Sequence, residues 1–72
     1  MGEISDSELA ALADFYDRFA HALDPFSQER DLAERQFYSM LSQLHYKHAP
    51  EMDERTFNRG AVSRCKKYLL RN

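Results

Sequence analysis

The stretch Ile4–Leu23, ISDSELAALADFYDRFAHAL, decides how the rest of the chain is read. Ser5 stands three residues before Glu8. That is the spacing of a capping box, in which the serine oxygen accepts from the Glu8 amide and the Glu8 carboxylate accepts from the Ser5 amide. Ile4 lies just outside this cap and Leu9 just inside it, as in a hydrophobic staple. Asp6 and Glu8 add negative charge to the first turn, where the helix dipole favours it. All three signals place a helix start at the same point.

Beyond the cap, Leu9, Leu12, Tyr16, Phe19 and Leu23 recur at steps of three and four. Phe15 and Ala22 widen this stripe on one side, Ala13 and Ala20 on the other. At about 100° per residue the apolar arc takes nearly half the circumference. Asp14, Asp17, Arg18 and His21 occupy the opposite face. An arc that wide suits a helix packed against two neighbours. Asp24-Pro25 predicts its end, because the residue before proline avoids the helical region. The expected first helix therefore spans 6–23.

Outward from there, Asp24 and Ser27 are both candidate caps for a second helix. Phe26, between them, is expected to pack into the core at this corner. The second helix is read over 28–47, with Ala33, Phe37, Met40, Leu41 and Leu44 facing inward. Arg35, Ser39, Ser42, Gln43 and Tyr46 fall outside that stripe, and so does Leu32. His45, Lys47 and His48 suit the last turn, and Ala49-Pro50 ends it. Asp53, flanked by Met52 and Phe57, caps a third helix over 54–70. Its inner face is Phe57, Ala61, Val62, Cys65, Tyr68 and Leu69. Gly60 weakens this helix by about 1 kcal/mol relative to alanine.

Three helices on short connections make an all-α fold, a small antiparallel three-helix bundle in one domain over 1–72. Phe19, Phe37 and Phe57 are expected to meet at its centre. The alternative is a helical hairpin whose third helix is exchanged within a dimer. A second copy would also help a chain of 72 residues, which buries little surface on its own.

Two glycines and two prolines leave few turns, which argues against an all-β fold. No apolar run approaches the roughly 18 residues of a membrane span, and no secretory signal is visible. Cys65 is the single cysteine, so no intrachain disulfide forms. A cytoplasmic location is the expectation. The net charge of −2 is unevenly spread: residues 1–34 hold nine acids and two bases, residues 35–72 three acids and eight bases. This predicts an acidic first helix beside a basic third one.

Candidate chemistry is sparse. His45 and His48 share a helix face, with Glu51, Asp53 and Glu54 following, but zinc needs three or four ligands in fixed geometry. Cys65 falls on an inner stripe, where a thiol behaves as a small hydrophobe. No catalytic triad spacing or glycine-rich phosphate loop is present. We therefore expect no enzyme activity, cofactor, metal or small-molecule substrate. Membrane-surface binding is disfavoured because Asp14 and Asp17 lie on the polar face of the first helix.

Two functional readings follow. The first is a small non-enzymatic protein–protein interaction or regulatory module, with a protein partner or a second copy meeting Leu32, Arg35, Tyr38 and Tyr46. Tyrosine and arginine are frequent interface anchors. The alternative is nucleic-acid binding by the third helix, with Arg55, Arg59 and Lys66 along one edge and Arg64, Lys67 and Arg71 along the other. Overall acidity, and the separation of the two edges, oppose it. Charge layout discriminates: pairing of these bases with the acids of the first helix weakens the phosphate reading, and open edges strengthen it.

Overall fold

The computed structural model describes residues 3–71. Three helices follow in order, α1 (Asp6–Ala20), α2 (Gln28–His48) and α3 (Glu54–Arg71), and there is no strand among the described residues. The α1 start is built as its residues dictate. The Glu8 amide donates to Ser5 Oγ at 3.1 Å and the Ser5 amide to Glu8 Oε1 at 2.9 Å. Ile4 and Leu9 are both buried on the core side of this cap.

The end of α1 departs from the expected 6–23. The His21 amide donates to the Asp17 carbonyl at 3.1 Å and closes the helix at Ala20. The His21 ring also meets Asp17 Oδ1 at 2.8 Å. Leu23, three residues further on, has left the helix and is fully exposed at 102%. Phe26, expected in the core, is 89% exposed. The core at this end is already closed without it. Phe19 packs on Tyr16 and Phe37 at ring distances of 5.6 and 5.1 Å, and the Arg30 guanidinium lies 5.9 Å over the Phe19 ring.

The connection settles which residue caps α2. Asp24 Oδ1 accepts from the Phe26 amide at 3.0 Å, a local turn that aims its carboxylate at the connection and not at the first turn of α2. Ser27 is left to accept from the Arg30 amide at 3.1 Å, and it is the cap. At the other connection Asp53 Oδ2 accepts from the Thr56 amide at 3.2 Å.

α2 runs antiparallel to α1, so its last turn stands beside Glu8. α3 turns back and runs parallel to α1, with Arg64 donating to the Ile4 carbonyl at 3.5 Å. All three helices of one chain pack together, with α1 against both others and α2 and α3 touching each other least. The core carries Leu12, Ala13, Phe37 and Cys65 with no exposure, and Leu9, Leu41, Leu44, Phe57 and Ala61 around them.

Phe19, Phe37 and Phe57 do not converge as expected. Phe19 and Phe37 are ring neighbours, but Phe57 takes His45 as its ring partner at 5.1 Å. The topology explains the difference. Phe19 ends α1 and Phe57 begins α3, and parallel helices hold those positions at opposite ends of the bundle.

Candidate functional site

The first polar constellation joins the start of α1 to the end of α2. Glu8 Oε2 accepts from Lys47 Nζ at 2.7 Å, and Glu8 Oε1 accepts from His48 Nε2 at 2.9 Å. The same carboxylate completes the Ser5 cap. The Lys47 hydrogen bond, followed by that of the Ser5 amide, pulls the Glu8 pKa from its ordinary 4.5 to about 2, against the opposing effect of burial. His48 joins in with a smaller effect in the same direction. Every partner here stabilises a charged carboxylate, so the cluster holds two helices together. A general acid would need the opposite shift.

His45 is engaged elsewhere, with its Nε2–H donating to the Met52 carbonyl oxygen at 2.7 Å. The two histidines of the candidate metal pair thus point at different partners. Among the described residues no group of three or more His, Cys, Asp or Glu side chains converges. Cys65 is fully buried, and burial pushes its thiol up to about 11, with Arg64 pulling slightly the other way. Such a thiol is protonated at neutral pH and is a poor nucleophile. No helix among the described residues is long and apolar enough to cross a membrane.

The outer side of α2 is different in kind. Leu32, Tyr38 and Tyr46 are 55%, 52% and 81% exposed. Among the exposed positions from Leu32 to Tyr46, Arg35 alone is charged, and Gln36, Ser39, Ser42 and Gln43 fill the rest. The four residues singled out from the sequence therefore lie on a face that is nearly free of charge. They do not share one environment. Leu32 lines a hollow at the α1–α2 corner together with Ala22, Leu23 and Ala33. Tyr38 leans the other way, into a groove shared with Arg59 and Val62 of α3, with its ring 5.2 Å from Phe37. Arg35 and Tyr46 stand on the outside between and beyond them.

Leu23 is the apolar member of this surface that periodicity missed. The apolar stripe of α1 reaches it only if the helix continues past Ala20, where it stops. His21, whose amide closes the helix, stands four residues before Pro25, and nothing in the sequence marks it as the stop. Asn58 Oδ1, in the α2–α3 groove, is buried and lacks a hydrogen-bond partner.

No base of α3 forms an ion pair among the described residues. Among the described residues the ion pairs are Arg18–Asp14, His21–Asp17, Arg30 with Asp31 and Glu34, and Lys47 and His48 with Glu8. Arg55, Arg59, Arg64, Lys66, Lys67 and Arg71 are in none of them. The acidic first helix does lie beside the basic third one, with Asp6 near Lys67 and Arg71 and Asp17 near Lys66, but no ion pair joins them among the described residues. Asp14 and Asp17 are instead paired within their own helix.

Comparison with protein-family models, with curated proteins and with solved structures finds no match.

Proposed function

We propose that this chain is a small non-enzymatic interaction module whose contact surface is the outward face of α2, bounded by Leu32 and Tyr46 and including Arg35 and Tyr38. The observation that carries the reading is the charge gap on that face. In a chain with 31% charged residues, a strip of exposed helix with Arg35 as its single charge is what the centre of an interface requires, since charged groups are depleted there. Leu32 and Tyr46 lie about 21 Å apart at 1.5 Å per residue, the length of about four helical turns. A partner helix laid along α2 fits that length, with apolar positions meeting Leu32 and Tyr46.

The corner hollow extends the surface at one end. Ala22, Leu23, Leu32 and Ala33 give it apolar lining, and Arg18, Asp24 and Glu29 add charges of both signs. The partner helix therefore carries a bulky apolar residue at that end.

Site-specific photocrosslinking in native lysate tests the reading. A crosslinker at Ser39, in the middle of the strip, is compared with one at Asp14, on the outer side of α1. A discrete product from Ser39 alone is expected, lost when Leu32→Glu and Tyr46→Glu place charge at both ends of the strip. Circular dichroism should show both variants folded, because neither side chain is in the core. The same product from both sites, or one indifferent to the two substitutions, overturns the assignment.

A further inference from the structure

From Arg55 to Arg71 the chain holds six bases and no acid. Their exposure and their lack of carboxylate partners make a second surface, independent of the outer face of α2. Arg59 and Lys66 lie on one edge of α3, and Lys67 and Arg71 on the other. All four are exposed. Between the two edges the crest of the helix is formed by Thr56, Ser63 and Leu70, all exposed and, apart from Leu70 near its end, short, with Gly60 beside Lys67 on the second edge. A Cβ added to Gly60 would meet nothing within 4 Å among the described residues, and Glu3, Ile4 and Met52 stand across a hollow that Thr56, Gly60 and Ser63 line with them.

We infer that α3 binds duplex DNA by entering the major groove, with its two basic edges meeting the phosphates of opposite strands. A helix with side chains is about 10–12 Å across, and the major groove of B-form DNA is about 12 Å wide. The short Thr56 and Ser63 let the helix enter, with Leu70 the one bulky crest residue toward its end, and cations on both flanks then reach both walls. An acidic peptide laid against α3 would meet one edge and leave the other unpaired, so the two-sided arrangement favours a groove. The deep, narrow major groove of duplex RNA does not admit a helix in this way.

Acids near α3 set the limits of the contact. Glu51, Asp53 and Glu54 crowd its first turn and repel phosphate from Arg55. Asp6 lines a hollow with Lys67 and Arg71, Asp17 one with Lys66, and Glu3 one with Arg64, Thr56 and Ser63, but none of the three acids forms an ion pair with these bases. The contact therefore runs from Arg59 to Arg71, about 18 Å at 1.5 Å per residue. It reads the duplex mainly by charge, because Ser63 and Leu70, the crest residues within it, carry few hydrogen-bonding groups to the base edges.

The test is fluorescence anisotropy with a mixed-sequence DNA duplex, an RNA duplex of equal length, and the full chain. Four to five phosphate contacts give a slope of about −4 in log affinity against log salt. Affinity for DNA should accordingly fall by about two orders of magnitude between 50 and 200 mM salt. The pairs Arg59→Glu/Lys66→Glu and Lys67→Glu/Arg71→Glu, one for each edge, should each weaken binding by about tenfold or more. Circular dichroism checks that both pairs keep their helices, and substitution of these exposed side chains leaves the core intact. No binding at low salt overturns the inference. So does a loss confined to one edge, or equal affinity for the RNA duplex. None of these results bears on crosslinking at Ser39, which reads the other surface.

Discussion

Glu8 and His48 lie forty residues apart in sequence and meet through a single hydrogen bond of 2.9 Å. With Lys47 at 2.7 Å on the other oxygen, the carboxylate that caps α1 also ties down the end of α2. A local signal and a tertiary contact thus share one side chain. The Glu8 pKa is held at about 2, below its ordinary 4.5. A group depressed on folding stabilises the native state above its unfolded value, and that contribution fades as pH falls through the native one. The native chain should therefore lose urea resistance between pH 4.5 and about 2. Glu8→Gln keeps a side-chain acceptor for the Ser5 amide but removes the charge, and should flatten that part of the profile. A variant with the wild-type acid dependence would show that other carboxylates govern it.

Cys65 should be nearly inert in the folded chain. It has no exposed surface, and its thiol is pushed up to about 11. At pH 8 a rise from 9 to about 11 lowers the thiolate fraction by about a hundredfold. Reaction with a chromogenic disulfide should be slow in buffer and fast in denaturing urea. Rapid labelling in buffer would mean that the α1–α3 contact opens readily.

Phe37 and Leu23 test where the apolar surface is used. Phe37 is fully buried among Tyr16, Phe19 and Tyr38. Phe37→Ala should cost about 3–5 kcal/mol. A chain of this size has roughly 4–11 kcal/mol to lose, so the variant should be largely unfolded in mild denaturant. Leu23→Ser should shift stability by less than about 0.5 kcal/mol. Chemical denaturation of both variants decides the matter, and a costly Leu23 change would place that residue back in the core.

Gly60 should be replaceable at a gain. The space around its Cα is open and its backbone is ordinary helix. Gly60→Ala should stabilise the chain by about 1 kcal/mol, the difference in helix propensity. A lower thermal midpoint would show that a close approach at this position has been missed.

Most of the fold could be read from local pattern. Ser5 and Glu8 announce a helix start by spacing alone, and Ala33, Phe37, Leu41 and Leu44 trace the buried side of α2 by period. These features are short-range, so a linear reading reaches them. The errors fall where the outcome depends on competition in space. Leu23 and Phe26 look like core residues until Tyr16, Phe19, Phe37 and Arg30 have filled the site they would occupy. Asp24 and Ser27 are chemically equal as caps until Asp24 turns its carboxylate to the Phe26 amide. The second role of Glu8 was out of reach because nothing near residue 8 announces Lys47 and His48. The surface of α2 was partly legible, as residues that miss the inner stripe. That the same face also lacks charge emerges only once exposure separates Glu34 from Arg35.

The weak contact between α2 and α3 has a consequence for how the molecule could be taken apart. Each of these helices is held chiefly by α1, so the chain divides naturally into a short donor peptide and a two-helix acceptor. Supplied separately, the acceptor would have one apolar groove between α2 and α3 that a helix of residues 3–20 completes. Mixing the halves should restore cooperative melting, which makes this sequence a natural starting point for a split reporter.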